Sequence, residues 1–285
     1  MKLALLLIDP QNDFCDLPAT AGPLQAGARL RPALPVPGAD ADMNRAAALI
    51  DQLGERLDAI TVTLDSHQRL DIAHPCFWID ASTGLPPAPF TPISAAALRE
   101  GLFRPREAAH AARALAYAEA LERSGRYTLM VWPAHCQIGS WGQAIHAELQ
   151  AALDRWSDRL GRNVQLVHKG ENRWTEHYSA LQAEVPDPND AGTQLNRALL
   201  ARLDEADQLL IAGEAGSHCV RATVEHLVEH LPSRRLDKLV LLSDCISPVG
   251  GFETAQADFF AAMQARGLRL TSSQALLASL GRGES

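Results

Sequence analysis

Leu209-Leu210-Ile211-Ala212-Gly213-Glu214-Ala215-Gly216-Ser217-His218-Cys219-Val220 decides the fold. Its first half is a short apolar run, which reads as a strand buried on both faces of a parallel sheet. Its middle is small and glycine-rich, as a sharp turn requires. From His218 onward Val220, Val224 and Leu227 recur at helical spacing, so a helix begins near Cys219. The cysteine therefore stands where a strand ends and a helix starts. Unpaired backbone N–H groups and the helix dipole favour a thiolate there. On this stretch alone, a nucleophile and a small buried core cysteine weigh equally.

The same alternation recurs along the chain. Residues 3–8 form a first apolar strand that ends at Asp9-Pro10-Gln11-Asn12-Asp13-Phe14. Residues 17–39, rich in Pro, Gly and Ala, read as a long surface loop. Asp40 or Asp42 caps a helix carrying Ala46, Leu49, Ile50 and Leu53, and residues 59–64 form a strand ending in Asp65-Ser66-His67. Residues 68–105 are a proline-rich insertion, followed by an alanine-rich helix to about Arg123. Further strands are expected at 127–132, 164–168, 238–242 and 268–270, with helices at 142–160, up to Leu203 from a cap at Asp190 or Thr193, at 254–266 and at the end. This order predicts an α/β fold, a doubly wound three-layer sandwich with a mostly parallel central sheet. One domain is expected over 1–285, with loop insertions at about 17–39 and 68–105.

Composition excludes several classes. A formal net charge of −8 argues against nucleic acid as the default partner. The opening Met-Lys-Leu-Ala-Leu-Leu-Leu-Ile stops at Asp9, too short to span a membrane. The five cysteines at 15, 76, 136, 219 and 245 are odd in number and include no C-x-x-C pair, which favours a reducing, cytoplasmic setting.

Four polar groups fall at strand ends: Asp9, Asp65 with His67, Lys169, and Cys219. In a parallel sheet those ends converge on one edge, where open α/β folds bind their ligands. A cysteine, a carboxylate and a lysine meeting there make a nucleophile, a base and an electrostatic stabiliser.

Five pieces now stand in order: Ile8-Asp9-Pro10-Gln11-Asn12-Asp13-Phe14, Asp65-Ser66-His67, Trp132-Pro133-Ala134-His135-Cys136, Lys169-Gly170 and Gly213-Glu214-Ala215-Gly216-Ser217-His218-Cys219-Val220. Together they resemble the isochorismatase-like cysteine hydrolases, and within them the nicotinamidase-like branch. The resemblance implies the isochorismatase-like hydrolase fold, with Asp9, Lys169 and Cys219 as catalytic triad. It implies a cis peptide at Glu214–Ala215 and an oxyanion hole from the N–H groups of Ala215 and Cys219. It implies Phe14 and Trp132 around the substrate, and one divalent metal ion on Asp65, His67 and His135. His218, just before Cys219, either lines the substrate pocket or makes a structural hydrogen bond at the helix N-terminus. Zinc is the foremost choice of ion, with iron(II) or manganese(II) as alternatives. The implied reaction is hydrolysis of nicotinamide to nicotinate and ammonia through a cysteine thioester. The implied enzyme is a cytoplasmic homo-oligomer that takes a small-molecule amide and needs neither nucleic acid nor membrane.

Two departures stand out at the metal motif. Ser66 occupies a position where the family usually has tryptophan, and Asp71 one where a further histidine is frequent. His74, three residues on, either replaces that ligand or holds the loop. The insertions lie near the expected pocket mouth and bear on substrate choice. They keep open a related cysteine hydrolase acting on a ureido or carbamoyl compound. A non-catalytic ligand-binding relative is the further alternative, and the intact triad counts against it.

Overall fold

The computed structural model describes residues 1–281. Six strands form the central sheet: β1 (Leu3–Ile8), β2 (Leu57–Asp65), β3 (Gln165–Lys169), β4 (Gln208–Gly213), β5 (Leu239–Leu242) and β6 (Arg269–Thr271). Their spatial order is β6-β5-β4-β1-β2-β3, and every neighbouring pair is parallel. The helices are α1 (Ala39–Leu53), α2 (Ala111–Ser124), α3 (Ala147–Leu160), α4 (Arg197–Asp204), α5 (Cys219–His230), α6 (Glu253–Ala265) and α7 (Ser273–Gly281).

β1 is apolar at every position because both of its faces are covered; Leu5, Leu6, Leu7 and Ile8 are all fully buried. β3, by contrast, has a partner on one side only, and its side chains alternate between partly covered and exposed until Lys169, which is buried. α1 packs against both α3 and α7 beside the sheet. The strand order reverses between β1 and β4, and a crevice opens beyond the carboxyl ends of strands at such a reversal. Gly213 closes β4 at that point. Its φ is +120°, and a Cβ there would stand 2.0 Å from the carbonyl oxygen of Ile8.

Several elements differ from expectation. Residues 127–132 do not enter the central sheet. Leu129–Val131 pairs antiparallel with Thr91–Ile93, and Trp78–Asp80 pairs antiparallel with Phe103–Pro105. With α2, these pairs enclose a second apolar cluster that includes Ile72, Phe77, Trp78, Tyr117 and Leu121. The insertion thus has a core of its own, and a short helix at Ala95–Arg99. Asp40 and Asp42 lie inside the first turn of α1; Gly38 is the cap residue, and Asp16 accepts from the N–H groups of Gly38 and Asp40 at 2.8 and 2.9 Å. α3 starts at Ala147, because residues 137–146 instead form turns against Gln11, Asn12 and Asp13. Asp190 caps only a short 3-10 turn, whereas Asn196 caps α4 by accepting from the Leu199 N–H at 2.9 Å.

Candidate active site

Asp9 leaves β1 with a φ of +48°, an unusual conformation for a residue with a side chain. Its N–H donates to the Thr63 carbonyl at 3.1 Å, and the Thr63 hydroxyl donates to Asp9 Oδ1 at 2.6 Å. Oδ2 lies 2.8 Å from Lys169 Nζ.

Lys169 is the centre of the cluster. The residue is 2 % exposed, and its ammonium lies 3.1 Å from Asp65 Oδ1, donates to the His177 carbonyl at 3.0 Å, and stands 3.6 Å from Cys219 Sγ. A buried cation needs this company. Burial disfavours its charge, but Asp65, Asp9 and Cys219 outweigh burial and raise the Lys169 pKa well above its ordinary range. Burial raises the Asp9 pKa above the usual carboxylate value, with Lys169 opposing. Cys219 is the first residue of α5, buried at the helix N-terminus. Burial drives its thiol well above the ordinary value; Lys169 works against that, and Asp9 and Asp65 add to it. The resting thiol therefore keeps its proton beside a carboxylate able to take it.

The peptide Glu214–Ala215 is cis. Ala215 accepts from the N–H groups of His218 and Val220 at 2.9 and 3.1 Å, so the turn before α5 folds back over its first residues. Ala215 and Cys219 both line the pocket.

Beside Lys169 lies a second cluster. Asp65 Oδ2 is 3.0 Å from His67 Nε2 and 3.4 Å from His135 Nε2. His67 Nδ1 is held by Asp71 Oδ2 at 3.2 Å. His135 Nδ1 lies 2.8 Å from the Pro133 carbonyl oxygen, which orients the ring with Nε2 toward Asp65. His74 joins them: one nitrogen from each of His67, His74 and His135 lies within 4.8 Å of the others, and all three rings are buried. Burial pushes His74 down to about 2, so it is neutral, and its Nδ1 has no hydrogen-bond partner in the protein. Three imidazoles, two of them oriented through their other nitrogen, and an adjacent carboxylate are a fitting donor set for zinc or a similar borderline ion. Gly170 makes room for this packing: its φ is +83°, and a Cβ would lie 2.8 Å from Asp65 Oδ1. Ser66 takes no part, since its hydroxyl bonds His168 and Gln143.

Phe14, Trp132 and His218 lie in the pocket wall with Cys219. Trp132 and His218 meet edge to face, with centroids 5.1 Å apart, and Phe14 packs 5.3 Å from His135. Burial keeps His218 neutral, with a pKa pushed down to about 4. Asp13 ties the surrounding loops together, accepting from the Ala33 N–H at 2.9 Å and the Cys136 N–H at 2.7 Å. The wall also contains Leu34, Glu176, Tyr178 and Val249, and Tyr178 accepts from Trp132 Nε1 at 3.0 Å. None of these four carries a motif; each arrives from a loop without periodicity. A wider cavity of about 310 Å³ between α2 and residues 174–189 brings together no comparable set of reactive groups.

This sheet and the cluster at its edge define the class: the fold is the isochorismatase-like hydrolase fold. No family model matches the chain. The chain is similar to the nicotinamidase of Escherichia coli (strain K12), 28 % identical over 224 residues, which cover 78 % of this chain and 74 % of that one. Among solved structures, the yeast nicotinamidase Pnc1p superposes with a TM-score of 0.61 at 20 % identity, over 94 % of this chain and 99 % of that one. The pyrazinamidase of Pyrococcus horikoshii, in complex with zinc, gives 0.53 at 18 % identity, over 95 % and 99 %. At such identities the structural likeness speaks for the fold.

Proposed function

We propose that this chain is a metal-containing cysteine amidohydrolase that converts nicotinamide and water to nicotinate and ammonia. One observation carries the reading: a single buried ammonium, Lys169, holds the Asp9 carboxylate at 2.8 Å and the Cys219 sulfur at 3.6 Å on the edge of the sheet. The similarity to the Escherichia coli nicotinamidase supports the substrate.

In this reading Asp9 takes the Cys219 proton as the sulfur bonds the amide carbon. The N–H groups of Ala215 and Cys219 hold the oxyanion, an interaction that typically supplies about 3–4 kcal/mol. Collapse breaks the C–N bond, and Asp9 passes its proton to the leaving ammonia. Water then attacks the thioester and gives one proton to Asp9, which returns it to Cys219 as the C–S bond breaks; the nicotinic acid released ionises to nicotinate, its proton passing to ammonia or solvent. Lys169 stays charged throughout and stabilises whichever partner is anionic. Asp65, His67 and His135, with His74 as a further imidazole, would hold a divalent ion, zinc foremost and iron(II) or manganese(II) otherwise. Such an ion supplies a Lewis-acidic ligation point that orients the pyridine ring. Phe14 and Trp132 flank that ring, and His218 closes the wall.

Among the described residues, no helix is long and apolar enough to cross a membrane. All five cysteines are free, which supports the reading of a cytoplasmic protein. A single domain over 1–285, working as a homo-oligomer, completes the proposal. Ammonia release from nicotinamide, pyrazinamide, a ureido acid and a carbamoyl amine, measured side by side, tests it. Turnover of the two ring amides is the expected result. Turnover confined to the other two would move the substrate to the alternative class, and silence on all four would overturn the catalytic reading.

A further inference from the structure

Glu176 lines the pocket beside Asp65 and His135, and the reaction above gives it no task. Its backbone is fixed on both sides. The N–H donates to the Tyr117 hydroxyl at 2.9 Å, and the carbonyl accepts from the Glu184 N–H at 2.9 Å. The side chain is held as well, because Oε1 accepts from the His177 N–H at 3.3 Å. Oε2 is buried and has no partner in the protein, although the residue is only 4 % exposed. A buried carboxyl oxygen without a partner is costly, and its retention in a pocket wall points to a partner that arrives with the ligands.

The charges around it narrow the choice. The carboxylates Asp65 and Asp71 act on Glu176 electrostatically, as do His67 and Lys169. A carboxyl placed among two other carboxylates gains most from a cation nearby. Asp65 Oδ2 lies within 3.4 Å of ring nitrogens of both His67 and His135, whereas the Glu176 carboxyl is turned to the His177 N–H, so Asp65 is the carboxylate of the ligand set and Glu176 stands behind it. We propose that Glu176 is a positioning residue for the metal, whose Oε2 hydrogen-bonds a water held on the ion at Asp65, His67, His74 and His135. This rests on the metal reading above. Outer partners of this kind typically contribute 10–100-fold to affinity.

Chelator-competition titration of zinc and cobalt(II), with the visible absorption of the cobalt(II) protein, tests it on the full chain. Glu176→Met, which keeps the volume but removes both acceptors, is expected to weaken both ions about 10–100-fold and to shift the cobalt bands. Glu176→Gln, which keeps one acceptor oxygen, is expected to fall between Glu176→Met and the parent protein. Parent-like affinity and an unchanged spectrum in Glu176→Met would overturn the proposal. Should Glu176→Met fail to fold, parent-like affinity in Glu176→Gln would overturn it instead. If His67→Ala and His135→Ala bind both ions as tightly as the parent, the metal site itself is wrong and the role of Glu176 falls with it.

Discussion

Asp9 accepts and returns a proton in both halves of the proposed reaction, and the Thr63 hydroxyl governs how readily it does so. That hydroxyl bonds the ionised carboxylate and works against the rise that burial imposes. Thr63→Val keeps the shape and removes the donor, so the acid limb of kcat/KM moves to higher pH; a pH–rate profile measures it. Cys219→Ala is expected to lower turnover by at least about 10³-fold while near-ultraviolet dichroism stays unchanged. The meeting of Asp9, Lys169 and Cys219 was legible because each lies at or just beyond the end of a strand, and parallel strands deliver their ends to one edge. Thr63 was not, since a threonine inside a strand gives no sign of the carboxylate it faces. Glu176 and Tyr178 sit in an aperiodic loop whose path only the tertiary fold sets. His74 was legible as a possible ligand, and its neighbours in space, not in sequence, bring it to the cluster.

Elements meet at points where one atom decides the packing. β1 and β4 approach so closely at Gly213 that Gly213→Ala combines a clash with an unfavourable φ. The expected cost is about 2 kcal/mol or more, measurable by urea denaturation. Before β5, the buried Lys238 ammonium bonds the Asp204 carboxylate at the end of α4 at 2.5 Å. Asp204→Ala leaves that cation with only the Asp204 carbonyl, with an expected loss of about 1–3 kcal/mol. Burial would raise the Asp204 pKa, but bonds from Lys238 and Ser233 lower it overall. Its contribution is therefore present above the unfolded carboxyl pKa and lost as pH falls through the lower folded value; melting of both proteins across acid pH measures this. Central strands were readable from unbroken apolar runs. Leu129–Val131 is equally apolar, and nothing local distinguishes a strand of the main sheet from one that pairs with Thr91–Ile93 in a proline-rich insertion. Helix starts were misplaced where a cap came from outside the helix, as Asp16 does for α1.

The chain as a whole should respond to the ion that its histidines are proposed to hold. An ion at a hundredfold its Kd adds about 2.7 kcal/mol to a folded state that alone binds it. Zinc is expected to raise the melting temperature by several degrees, chelator to reverse the rise, and His135→Ala to abolish it; calorimetry checks all three. The strand order carries one more consequence, for the time at which the protein is made. β1 takes β2 on one side soon after synthesis, but its other side is covered only by β4, whose first pairing, Leu3 with Gln208, spans 205 residues. At roughly 5–20 residues per second, that edge waits on the order of 10–40 s. This wholly apolar strand is thus a nascent-chain hazard, open to chaperones or to a neighbouring copy until the strand that leads to Cys219 leaves the ribosome.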